Sequence, residues 1–314
     1  MEYPMICWNY GRPEEDGTYS DRAKIGMISV IIHEVGHNYF PMIVNSDERQ
    51  WGWMDEGLDT FVQYLTEQEF GQKYPESLGM LDAYPSRRGS PSKIISYMAG
   101  DQNFISPIMS NPENVYQLGP NAYAKPDTAL NILRETIMGR EIFDNAFKAY
   151  AKRWMFKHPT PEDFFRTMED ASAVDLDWFW RGWFYSTDWV DIGVRDVKKY
   201  SLQDKPGPKV NKILETYNMT IEDLPPMVFI SEKDSLQENN VTIENSATLK
   251  EYLEENPSNE TAIFPKYIYE IEFEKPGGLV MPIIVEYSYA DGSVERVTYP
   301  PQIWRKNDAS LRGV

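Results

Sequence analysis

The scarce residues of this 314-residue chain are histidine, with 3, and cysteine, with one, Cys7. A single cysteine excludes an intrachain disulfide and any metal cluster held by several thiolates. Basic charge is short as well: 31 Lys and Arg stand against 49 Asp and Glu, a formal net charge of -18. Binding along a nucleic-acid backbone needs clustered cations to neutralise phosphates, so nucleic acid is excluded as a partner and anionic membrane surfaces are disfavoured. The acidity reads as a solubility feature. Long apolar runs are missing too. Ile28 to Ile32 is short and stands near charges, and no membrane-spanning helix is expected. The start, Met1-Glu2-Tyr3-Pro4 leading into Met5-Ile6-Cys7-Trp8, lacks the basic and apolar regions of a secretory leader and reads as the interior of a domain, so a longer gene product is expected.

What is present suits an ordered globular protein: 41% hydrophobic residues, with 20 Tyr and 9 Trp, can fill the cores of about two or three domains. Two of the three histidines fall in one stretch, His33-Glu34-Val35-Gly36-His37. Residues four apart on a helix share a face, so both imidazoles can grip one ion from the same side. Trp53-Met54-Asp55-Glu56-Gly57 follows, and the Glu56 carboxylate completes a two-histidine, one-glutamate zinc site, one Zn2+ per chain, with the fourth position left to water. Bound zinc brings the pKa of water from about 15.7 to about 7. Glu34, beside the first ligand, is then the general base that takes the water's proton and passes it to the leaving amine. A bare histidine pair of this kind is often an exposed helical pair without metal; Glu56 on a second helix tips the reading to zinc hydrolysis. Asp59, one turn past Glu56, has two readings: a carboxylate that orients a ligand histidine, or a solvated acid on a helix flank. His158, between Lys157 and Pro159, reads as an exposed helix-end residue.

Along the chain, residues 1–10 read as a strand and 11–20 as a polar turn. A buried helix is expected from Asp21 to Phe40, stopped by Pro41, with Ile25, Ile28, Ile32 and Val35 on its apolar side. A second runs from Met54 to Phe70, with Leu58, Phe61, Val62 and Leu65 as its core stripe. Residues 82–121 hold five prolines and read as a long irregular segment with a short helix at Ile94–Met98, the kind of loop that lines a site. Helices follow over Pro126–Met138, Glu141–Phe156, Pro161–Ala171 (Thr160 as N-cap) and Asp175–Tyr185, the last with a core cluster of Trp178, Trp180, Trp183 and Phe184. Residues 196–260 are polar and read as a linker or insertion with some helix near Ser246–Glu254. From Tyr267 the period becomes two, and a hairpin pairs Ile283–Tyr289 with Val294–Tyr299 about Asp291-Gly292. The fold is thus mainly α, with residues 1–195 as the catalytic domain and 261–314 as a small β module.

With these residues in view, the chain resembles the M1 family of zinc aminopeptidases, the gluzincins. The likeness runs through His33-Glu34-Val35-Gly36-His37-Asn38-Tyr39-Phe40 and Trp53-Met54-Asp55-Glu56-Gly57 with the family's own spacing between them. Tyr123-Ala124-Lys125 is similar to the family's Tyr-x-Lys-Gly element, with Pro126 in place of glycine. The resemblance implies that Tyr123 is the phenol that stabilises the tetrahedral oxyanion. Met1-Glu2-Tyr3 is similar to the end of the family's Gly-x-Met-Glu-Asn element, with Tyr3 for asparagine, which implies that Glu2 holds the substrate's α-ammonium group. The likeness further implies a thermolysin-like catalytic domain, present in its helical part without the N-terminal β domain, then a partial immunoglobulin-like β-sandwich. Peptides with a free N-terminus are the implied substrates, and a cell-envelope or secreted setting is expected over the cytoplasm. Two other readings stay open: a thermolysin-type endopeptidase, which would not need Glu2, and a non-catalytic peptide-binding module on a peptidase fold, against which the intact ligands and base argue.

Overall fold

A computed structural model describes residues 2–203, 208–223, 229–232, 240–241, 267–305 and 310–313. The chain divides into two compact units, Met1–Trp189 with Leu279–Pro282, and Val190–Gly278 with Ile283–Val314.

The first unit opens with two short antiparallel strands, β1 (Glu2–Tyr3) and β2 (Ile6–Cys7), in place of the single strand expected. Pro4 and Met5 make the turn, Met5 at a positive φ of 63°. Helix α1 (Asp21–Gly36) starts where Ser20 accepts a hydrogen bond from the Ala23 amide. It ends four residues before the predicted Phe40. A wider-turn segment, Asn38–Ile43, takes over, and Phe40 leaves helical angles (φ -117°, ψ 108°) because the residue before a proline is pushed towards extended backbone. The expectation of a buried α1 is also corrected: only Ile25 and Glu34 are buried along it, and Ile31 and Val35 are exposed.

Helix α2 (Glu56–Lys73) is the buried one, with Leu58 and Phe61 in the main core and Val62 and Leu65 packed on it. The irregular segment that follows contains short 3-10 turns and one helical turn, α3 (Ile95–Met98). Then come α4 (Lys125–Ile132), α5 (Arg140–Trp154), α6 (Pro161–Ser172) and α7 (Asp177–Tyr185). Thr160 and Asp163 form a reciprocal capping box at the start of α6. The core is aromatic, as expected of the tryptophan-rich stretch. Trp53 sits among Phe164, Phe165 and Phe184, and Trp180 stacks on Phe165 at 4.6 Å. Each such side chain taken out of water contributes roughly 1.5–3 kcal/mol to stability.

The second unit contains a strand inside the stretch expected as linker: β3 (Gly193–Gln203), followed by α8 (Pro208–Thr216), β4 (Phe229–Glu232) and β5 (Asn240–Val241). The helix expected near residues 246–254 lies outside the described residues. Strand β6 (Tyr267–Glu274) pairs antiparallel with β3, and β7 (Ile283–Ser288) with β8 (Val294–Tyr299) in the predicted hairpin. With β9 (Ser310–Gly313) the larger sheet has the order β5-β4-β3-β6-β9. An immunoglobulin-like sandwich packs two sheets of about seven strands in all; the described residues form this one five-stranded sheet and the β7–β8 hairpin.

Candidate active site

The two histidines sit on the last turn of α1 and Glu56 on the first residue of α2, and the packing of α1 against α2 brings the three together. Gly36 makes that packing possible. A Cβ there would stand 1.9 Å from Asp59 Oδ1, so any larger residue would drive α2 away from the histidine turn.

The three side chains converge on one point. His33 Nε2 lies 3.1 Å from His37 Nε2 and 3.1 Å from Glu56 Oε2, and His37 Nε2 lies 3.3 Å from the same oxygen. A tetrahedral ion with bonds of about 2.0–2.1 Å needs neighbouring ligand atoms about 3.3 Å apart. The far ring nitrogens are engaged. His33 Nδ1 meets Asp59 Oδ2 at 2.7 Å and Gln63 Oε1 at 2.9 Å, while His37 Nδ1 meets the Phe40 carbonyl at 2.8 Å and Asp55 Oδ1 at 2.9 Å. Acceptors on both Nδ1 atoms fix the ring orientations and aim both Nε2 atoms at the common point. The donor set and its spacing fit a divalent metal held by His33, His37 and Glu56.

Electrostatics follow from crowding acids and imidazoles in a buried place. Burial alone would lower the pKa of His33, but Asp59 and Glu56 outweigh it and hold it up to about 9. Asp55 and Glu56 do the same for His37, up to about 12. For Glu56, burial is outweighed by hydrogen bonds from both histidines and Tyr123, so it stays anionic well below the usual carboxylate range. Asp59 is 1% exposed and its carboxyl is pushed up by burial, which settles it as an interior group against His33 and removes the reading of a solvated flank.

Tyr123 arrives from the segment Gly119–Ala124 that leads into α4 and donates its phenolic hydrogen to Glu56 Oε1. Burial and the Glu56 charge raise its pKa, so it remains a protonated donor. Lys125, the first residue of α4, is fully buried and donates to the Ser186 carbonyl at 3.1 Å. Glu34 is buried and lines, with His33 and Tyr123, a cleft of about 730 Å³.

Glu2 does not reach the three ligands. Its hairpin is pinned to the end of α1, where the Cys7 thiol donates to the Glu34 carbonyl (2.9 Å) and the Met5 amide to Asn38 Oδ1 (3.2 Å). This sets Glu2 beside Glu48 and Asp55, the three carboxylates lying within 4.8 Å of one another. Sequence reasoning missed Glu48, for which no local signal exists, and Asp55, although it adjoins Glu56. Gln63 and Glu67 were missed too, despite a signal. Glu56, Asp59, Gln63 and Glu67 recur at helical spacing on a helix whose other face is core, and Gln63 Nε2 donates to Glu67 at 2.8 Å.

Comparison with known proteins agrees with this geometry. The peptidase family M1 domain matches residues 14–183. The chain is similar to aminopeptidase N of Lactococcus lactis subsp. lactis, 21% identical over 172 residues that make up 54% of this chain and 19% of that protein. It is similar to glutamyl aminopeptidase of Homo sapiens, 22% identical over 173 residues (54% and 17%), and to leukotriene A-4 hydrolase of Xenopus laevis, 22% identical over 170 residues (51% and 27%). It therefore spans less than a third of the length of these relatives. Because the domain match takes in the whole ligand cluster and more than half of its residues, the chain belongs to peptidase family M1.

Proposed function

We propose that this chain is the catalytic part of a zinc-dependent aminopeptidase. The observation that carries the reading is the meeting of His33, His37 and Glu56 Oε2 at 3.1–3.3 Å at one end of a cleft that Glu34 also lines. Zinc bound there supplies a Lewis acid and makes hydroxide available near neutral pH. The rest falls to the chain's own groups. The Glu34 carboxylate takes the proton of the attacking water and delivers it to the departing amine nitrogen, which leaves neutral. The Tyr123 phenol gives its hydrogen bond to the carbonyl oxygen as negative charge builds there. Asp59 and Asp55 keep the two imidazoles in the tautomer and orientation that binding requires. Glu2 and Glu48, beside Asp55, whose carboxyl burial pushes up, offer carboxylates one residue away from the ligands, which suits a substrate's free α-ammonium and leaves an internal peptide bond without a counter-charge.

The test is metal analysis followed by turnover of aminoacyl-arylamides. Glu34→Gln should keep stoichiometric zinc and lose about 10²–10⁴-fold in kcat, the usual contribution of a general base. Unchanged turnover in that variant, or equal cleavage of N-acetylated and free-amine peptides by the parent chain, would refute the reading.

A further inference from the structure

The cleft beside the ligand cluster holds a cation that the chemistry above leaves unused. Arg88, half-buried in the loop after α2, stacks its guanidinium 4.1 Å from the centre of the Tyr123 ring. Stacking satisfies the plane of a guanidinium but not its N–H fork. Among the described residues no carboxylate oxygen lies within 4.0 Å of it, and no acceptor takes one of its hydrogens. Its mount is firm. Asp127, fully buried, accepts from Asn131 Nδ2 at 2.7 Å, a bond to its own helix and not to the guanidinium. Gly89 takes a φ of +100°, and a Cβ there would stand 2.2 Å from the Tyr64 ring, so the loop lies flat on α2. Arg87, exposed, lines the same cleft.

The other charges of the cleft have tasks of their own or sit at its far end. Glu67 bonds Gln63, Glu34 is the base, Asp21 pairs with Lys24 at 3.7 Å, and Arg22 lies on the turn beside Asp21. None of Glu2, Glu48 and Asp55 lines the cleft. With the α-ammonium on their side of the ligands, the cleft receives the part of the peptide that leaves.

We propose that Arg88, with Arg87 at the rim, binds a carboxylate on the leaving part of the peptide: the free C-terminus of a dipeptide or an acidic side chain on its second residue. This rests on the aminopeptidase reading. A guanidinium fork matches a carboxylate in two parallel hydrogen bonds. An extended residue covers about 3.3–3.6 Å, so a group one residue beyond the scissile bond reaches a cation that is one aromatic ring from the metal ligands.

The test titrates the zinc-loaded Glu34→Gln chain by calorimetry with Leu-Ala, Leu-Ala amide and Leu-Glu amide. Leu-Ala or Leu-Glu amide should bind about 10- to 100-fold tighter than Leu-Ala amide, the range of a charge-assisted hydrogen bond. A gain for the first alone identifies the C-terminal carboxylate, and a gain for the last alone the side chain. Arg88→Gln should erase the preference and Arg88→Lys restore part of it. With Glu34 intact, Arg88→Gln should cost at least about tenfold more in kcat/KM on Leu-Ala than on leucyl-arylamide, which has no carboxylate. Equal losses on both would make Arg88 a support for Tyr123 and overturn the proposal, as would acid and amide binding alike or not at all. A parent chain that cleaves no peptide, beside a Glu34→Gln chain that binds with this preference, refutes the peptidase reading and leaves the carboxylate site standing.

Discussion

Helices α1 and α2 both feed the site, yet they live in different surroundings. On α2, every residue from Gly57 to Phe61 is buried, whereas α1 buries only Ile25 and Glu34. The reason is what each has for neighbours. Helix α2 lies between α1 and α4 and over the aromatic core; α1 packs on α2 and carries the small hairpin at its end. The same apolar spacing therefore has two outcomes, and chemistry and stability are divided unequally between the helices. Glu34 and the two histidines sit on the thinner-walled one, and the hydrophobic anchoring on the other.

The largest effect that tests this division is on α2. Phe61 is 1% exposed and packs edge-on against Phe143 and Phe147, both at 5.4 Å. Phe61→Ala should lower unfolding free energy by about 3–5 kcal/mol in urea titrations. A loss below about 1 kcal/mol would mean that the core under α2 can collapse around the gap, and the contrast with α1 would lose its basis.

A middle-sized effect sits where the two helices touch. Asp59 belongs to α2 but acts on His33 of α1. A ligand imidazole must be neutral to bind metal, and Asp59 and Glu56, against the lowering by burial, hold the pKa of His33 up to about 9. With His37 held up to about 12 as well, metal uptake at pH 7 displaces a proton from each imidazole, and apparent affinity should climb as pH rises through about 9 and on above it. Asp59→Asn removes the charge that retains the proton, so the climb should flatten. It also loosens the ring, so affinity compared at one pH above about 9 should fall about 10- to 100-fold in competition with a chelator. Unaltered affinity at that pH would show that Gln63, 2.9 Å from the same nitrogen, orients His33 without help.

How much of this was legible beforehand depends on whether the signal is local. The convergence of His33, His37 and Glu56 was, because two histidines four apart and a carboxylate on the next helix need only α-helical geometry and one helix–helix contact to meet. The core stripe of α2 and the tryptophan cluster of α7 were legible for the same reason. The end of α1 was misjudged because Pro41 acts on Phe40 and the chain had already left the α-helix at Gly36. Strand β3 was hidden by its charges, since Arg195, Asp196, Lys198 and Lys199 blur any period of two. Arg88 was out of reach altogether: its place follows from Tyr64 of α2, on which the neighbouring Gly89 lies, and from the Tyr123 ring, two distant segments of the chain.

The smallest effect is the sharpest check on the comparison, because pattern and structure disagree about it. Val35 lies between His33 and His37 and belongs to the apolar side that sequence spacing assigned to a core, yet it is 55% exposed, and Ile31, one turn earlier, is 39% exposed. Serine and valine differ little in helix propensity, so Val35→Ser isolates burial. On an open face the change should stay within about 0.5 kcal/mol in unfolding free energy, with metal affinity intact because neither imidazole is touched. A loss near that of a core truncation, about 2 kcal/mol or more, would mean that another surface covers α1 in solution. The division of labour between the two helices would then belong to the isolated chain and not to the site as it works.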